Sequence, residues 1–144
     1  MGLLYARSVS PSPRQAAQAA STDALRVNAI AELDSLLENA AALRAELRTF
    51  EIALRKARGH LVRGRAAEDL EQVIDIVTAR DGLTRAATDF QISRHSSRLS
   101  IFRAQVGEGM SIGSIARTWG LSRQLVSRML KTNAPNGHTA TRSK

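Results

Sequence analysis

Between Asp23 and Arg58 the chain contains neither proline nor glycine. Within that span Leu33, Leu36, Ala40, Leu43, Leu47, Phe50, Leu54 and Ala57 recur at alternating spacings of three and four residues. An α-helix turns once in about 3.6 residues, so this spacing gathers all of these side chains into one stripe, sustained over more than three heptads. The pattern predicts a long amphipathic helix. Thr22 or Asp23 caps its start and Gly59 marks its stop. With Leu33 as an a position, Glu46 becomes a g position and Glu51 the following e position, so a parallel homodimer would set carboxylate against carboxylate. The stripe also widens at Leu37 and Ala41. Both points favour an antiparallel partner helix, within the chain or in a small bundle.

A second helix follows. Gly59–Gly64 reads as a turn, and Ala66, Leu70, Val73, Ile74 and Val77 recur at helical spacing between Arg65 and Arg80. Asp81-Gly82 is a turn or C-cap signal. A further run buries Leu83, Ala87 and Phe90 and bends or breaks around Ser93–Ser97. Residues 23–95 are thus expected to form a helical, coiled-coil-like hairpin serving as a scaffold for oligomerisation. Residues 1–22 and 133–144 carry too little apolar surface to offset their ordering entropy and are expected to be disordered tails, the second one basic. The Ala/Gln run from Gln15 to Ala20 is able to extend the helix backwards.

Composition narrows the chemistry. The chain has 144 residues, 21 Lys and Arg against 13 Asp and Glu, a net charge of +8 and a pI near 11.3. Such a balance points to a polyanionic partner. There is no cysteine and there are three scattered histidines, which removes disulfides, thiolate zinc sites and a cysteine nucleophile, and argues against any bound metal. Aromatics are 3%, too few for base-stacking recognition of single strands. No apolar stretch approaches the roughly 20 residues of a membrane span. The chain reads as a cytoplasmic, nucleoid-associated protein with no cofactor.

The most informative segment is Ser111–Lys131, SIGSIARTWGLSRQLVSRMLK. It reads as two short helices around a tight turn. Ser111 caps the first, with Ile112, Ile115 and Ala116 facing inward. Gly120 takes the turn, because a residue without Cβ accepts positive φ. Leu121 plugs the corner, and Ser122 caps the second helix, whose apolar positions are Leu125, Val126, Met129 and Leu130. The preceding stretch, Ser97–Val106, supplies a supporting helix with Leu99, Phe102 and Val106 inside and Gly107-Glu108-Gly109 as its connection.

Ala116 four residues before Gly120, Val126 six residues after it, and apolar Ile115, Trp119, Leu121 and Met129 resemble the DNA-binding helix-turn-helix family. The variety looks like the resolvase- and sigma-region-like modules reading SIxxIAxxxGLSRxxVSRxL. The resemblance covers residues 96–132; nothing comparable marks the preceding two-thirds. It implies an all-α chain with a C-terminal three-helix domain, whose second motif helix, residues 122–131, enters the major groove of double-stranded DNA. Arg123, Gln124, Ser127 and Arg128 would then meet base edges, since Arg pairs with guanine and Gln with adenine. Ser122, Arg117 and Lys131 would hold phosphates.

Charge agrees independently. Residues 97–144 hold eight Lys and Arg against one acid, Glu108, whereas residues 23–81 hold nine bases against eleven acids. A basic module on a near-neutral scaffold is what a DNA-facing protein requires. Trp119 is better read as a turn plug than as a stacking ring. The basic run Arg55, Lys56, Arg58, Arg63 and Arg65 reads as a solvated helix end, or else as a second backbone contact. These features predict a small, non-enzymatic transcriptional regulator acting as a homodimer or higher homo-oligomer. The alternative is a low-specificity architectural or mobile-element DNA-packaging protein, and docking on RNA polymerase or another protein partner is a further reading. The residues before the motif offer no Ser/His/Asp set for an enzyme.

Overall fold

The computed structural model describes residues 12–132, and among these every regular element is helical. Helix α1 runs over Pro13–Val62, a 3-10 turn over Ala67–Asp69, α2 over Leu70–Val73, α3 over Ile76–Gly107, α4 over Ile112–Trp119 and α5 over Arg123–Thr132. The chain divides into two units. One joins the start of α1, up to Asn28, to everything from Ser100 onward; the other is Ala29–Leu99.

Helix α1 begins ten residues before the expected cap, so the stretch from Pro13 to Thr22 is helix and not tail. The cause is a reciprocal cap. Ser12 N donates to Gln15 Oε1 at 3.0 Å and Gln15 N donates to Ser12 Oγ at 3.4 Å, with Pro13 in the first helical position, where its missing N–H costs nothing. The added turns are held from outside as well. Thr22 Oγ1 donates to the Gly107 carbonyl (3.3 Å), Asn28 Nδ2 to Ser100 Oγ (3.1 Å), and Arg26 pairs with Glu108 at 2.6 Å. The Glu108 carboxylate raises the Arg26 guanidinium pKa above its ordinary value, first through this hydrogen bond and then through its charge. The first eleven residues and the expected C-terminal tail, with Arg142 and Lys144, lie outside the described residues.

In the Ala29–Leu99 unit the expected single stripe is divided. Leu36, Leu43, Phe50 and Ala57 are half-buried, alternating with Glu32, Asn39, Glu46 and Ala53 on the same side of α1. Leu33, Leu47 and Leu54 are instead exposed. One of the two series of the seam is thus shifted by one residue, and it takes in polar positions that hydrophobicity alone would reject. Gly59 does not stop the helix, which continues to Val62 before turning through Gly64. His60, 2% exposed, closes that turn by donating from Nε2 to the Ala66 carbonyl at 2.9 Å.

The helix expected over Arg65–Arg80 is broken at Ile74, whose backbone is extended. Asp75 then caps α3: Thr78 N donates to its carboxylate at 3.0 Å, and Thr78 holds the Asp75 pKa below its ordinary value through side-chain and backbone hydrogen bonds. From there α3 runs without interruption through Asp81-Gly82 and through Ser93–Ser97, where a turn and a bend were expected. Gly82 is accommodated inside the helix, and a Cβ there would stand 2.6 Å from Glu46 Oε2, the free end of a flexible side chain. The serines do not break the helix because their hydroxyls stay within it: Ser93 Oγ donates to the Phe90 carbonyl and Ser97 Oγ to that of Arg94. From Ile76 to Ser97 the buried positions of α3 are Ala79, Ala86, Ser93 and Ser97, all small.

Candidate nucleic-acid interface

The C-terminal segment is built by local rules that act in sequence. Ser111 Oγ accepts from Ser114 N at 3.1 Å and opens α4. Gly120, at φ 63° and ψ 32°, ends it in the left-handed region, where its N–H reaches the carbonyls of Ala116 and Arg117. Leu121 N donates to the Ala116 carbonyl at 2.9 Å, completing a Schellman turn that satisfies the last carbonyls of α4. Ser122 Oγ accepts from Leu125 N at 3.1 Å and starts α5. Three residues after the end of one helix, the chain begins the next in a new direction.

Packing fixes that direction. Ile115 and Ala116 on α4 and Val126 and Met129 on α5 are buried, and Phe102, Ile115 and Val126 have no exposed surface. The Phe102 ring meets Trp119 edge to face, centroids 5.2 Å apart at 82°. Trp119 therefore plugs the turn from one side while remaining 38% exposed. Val106, expected inside, is 42% exposed; Ala104 takes the buried position, because the inner face of α3 follows Ser100 and Ala104.

With Val126 and Met129 inward, the opposite face of α5 is presented to solvent. Arg123, Gln124, Ser127, Arg128 and Lys131 line one shallow concavity of about 500 Å³ on that face. The four residues expected at base edges are thus together, joined by one of the three expected at phosphates. Ser122 sits at the head of α5, where capping occupies its oxygen as acceptor and leaves its hydroxyl hydrogen to donate outward. Arg117 stands on α4, exposed and outside the concavity. No acidic residue lines the surface. The acid nearest in sequence, Glu108, is held by Arg26.

Neither a protein-family model nor a curated protein nor a solved structure matches this chain.

The sequence reading missed Arg26, which neutralises the one acid of the basic segment from 82 positions away. No periodicity or motif encodes a contact of that range. The basic run at the first turn, Arg55, Lys56, Arg58, Arg63 and Arg65, is exposed throughout, with Arg55 paired to Glu51 at 3.6 Å. Among the described residues no cluster of His, Asp and Glu is arranged to hold a metal, and no helix is long and apolar enough to cross a membrane.

Proposed function

We propose that this chain binds double-stranded DNA through a C-terminal helix-turn-helix formed by the end of α3, α4 and α5, with α5 as the recognition helix. In this reading α1 and α3 form a helical hairpin that pairs two such modules, and the protein is a small transcriptional regulator. The observation that carries the reading is the α5 face. Two arginines, a lysine, a glutamine and a serine share one concave surface with no acid, on a helix whose other side buries Val126 and Met129. Arg123 and Gln124, in the first turn, and Ser127 and Arg128, one turn later, stand where a helix entering the major groove N-terminus first meets base edges. Ser122, Lys131 and Arg117 flank them, suited to phosphates on either side of the groove. One module of this size buries only about 600–1,000 Å² on DNA, which is why a second copy is needed for useful affinity.

The test is selection from a random duplex library at physiological salt, followed by salt titration on the enriched sequence. Enrichment of a two-fold-symmetric site is the expected result. Salt-sensitive binding without enrichment selects the architectural reading instead, and no binding to DNA overturns both. On the enriched site Arg128→Ala is expected to cost about 1–3 kcal/mol and to relax one base position. Lys131→Ala is expected to weaken all sequences alike and to flatten the salt slope by about one.

A further inference from the structure

The shifted seam leaves a second stripe of α1 uncovered. Leu33, Ala40, Leu47, Leu54 and Leu61 recur every seven residues, and Ile30, Leu37, Arg44, Glu51 and Arg58 recur every seven between them. All but the half-buried Ala40 are exposed, Leu37 by 67%. Two interleaved seven-residue series make a coiled-coil seam, and this one is exposed among the described residues. On α3 a shallow apolar groove of about 730 Å³ follows Leu83, Thr84, Ala87, Gln91 and Ile92. Ala87 comes directly after the buried Ala86, as Ala40 comes directly after the seam position Asn39. In an antiparallel helix pair these equivalent flanking positions lie on the same side.

We infer that this face docks a second copy of the chain, with the two α1 helices antiparallel and the two-fold axis between residues 45 and 46. The charges in the stripe decide the direction. Parallel, in-register pairing sets Arg44, Glu51 and Arg58 each against its own copy, three like-charge layers. The antiparallel register pairs every member of one series with a member of the other: Leu37 with Leu54, Ile30 with Leu61, and Arg44 with Leu47. Glu51 then faces Ala40 and Arg58 faces Leu33, over which the arginine's aliphatic stem lies. In this register Arg44 falls in layers next to both Glu51 and Arg44 of the partner subunit, so two Arg–Glu approaches offset one Arg–Arg approach, where the parallel register offers like-charge layers only. The present Glu51–Arg55 pair, at 3.6 Å and exposed, is weak enough to exchange.

The inference rests on the dimeric part of the proposed function and not on DNA recognition, so it is tested without DNA. The chain has no cysteine, so introduced thiols are unique. Leu37→Cys and Leu54→Cys proteins are oxidised separately and mixed. A disulfide dimer is expected in the mixture alone, because the antiparallel register places each Leu37 about 25 Å from its own copy, beyond disulfide reach. Cross-linking of Leu37→Cys by itself would establish a parallel pair and overturn the register. A monomer at every concentration in sedimentation, with no cross-link, would overturn the docking face, whatever the protein does with DNA. Glu51→Arg is expected to raise the dimer dissociation constant about tenfold or more, and the swap Arg44→Glu/Glu51→Arg to restore it. A swap that fails to restore it, in a protein of unchanged helicity, counts against the register.

Discussion

The long helix α1 and the short helices α4 and α5 use their apolar residues in opposite ways. Helix α1 is fifty residues long yet buries only Ala29 and His60, and its large side chains Val27, Ile30, Leu37 and Ile52 stand more than half exposed. Helices α4 and α5 are eight and ten residues long and bury Ile115, Ala116, Val126 and Met129. A short helix has little stability of its own and exists here because the centre of its inner face is buried and both ends of the turn are capped. A long helix can run on its internal hydrogen bonds with a half-covered seam, and it has surface left over. The short helices thus hold five polar side chains on one face of a packed turn, and the long helix leaves apolar surface exposed.

The largest effect that tests this contrast is a pair of truncations. Val126→Ala removes a fully buried side chain and is expected to cost about 1–3 kcal/mol or more and to melt the α4–α5 segment first, as read by amide exchange of Ile115 and Met129. Leu47→Ala removes a larger, exposed side chain and is expected to cost under about 0.5 kcal/mol in dilute protein. Its cost should grow with protein concentration, because binding of a second copy stabilises only the folded chain. Equal costs at high dilution would erase the contrast.

How much of this was legible in the sequence follows the same division. The α4–α5 turn was readable residue by residue, because Ser111, Gly120 and Ser122 act on backbone groups within a few positions of themselves. A local cause leaves a local signature, and the grouping of Arg123, Gln124, Ser127 and Arg128 on one helix face follows from spacing alone. The long helices were readable as helices and misread in their ends and their seam. Asp81-Gly82 looks like a stop by composition, but one glycine inside a long helix costs only about 1 kcal/mol, and α3 runs through it. The break at Ile74 depends on Asp75 capping the next helix at Thr78, a cap hidden inside a continuous apolar pattern. The start at Pro13 was written in Ser12 and Gln15, a capping pair overlooked because its surroundings look like tail.

A smaller test addresses the turn itself. Gly120 holds φ at 63°, so Gly120→Ala is expected to cost about 1–2 kcal/mol through strain alone, there being open space around its position for a methyl group. Asparagine tolerates this conformation better, so Gly120→Asn should cost less than alanine. Thermal melts that rank alanine as the milder change would mean the turn relaxes to another geometry, and the α4–α5 angle would not be rigidly set.

The smallest effect concerns pH and the scaffold. Thr78 holds the Asp75 carboxyl below its ordinary pKa by hydrogen bonding to the charged form. A lowered folded-state pKa means that its contribution to stability is complete above the unfolded value and is lost as pH falls through the folded one. The start of α3 should therefore loosen in acid, below the usual carboxylate range, while α4 and α5, capped by the neutral hydroxyls of Ser111 and Ser122, should not. The carboxylate is exposed, so solvent keeps the effect small, and it is best read from amide exchange at Val77 and Thr78 against that at Ser114 and Leu125 across acid pH. Asp75→Asn keeps an acceptor for Thr78 N but has no charge to titrate, and is expected to abolish the pH dependence at the start of α3. If α3 and α5 loosened together in both proteins, the acid response would belong to general charge repulsion in a chain of net +8 and not to this cap.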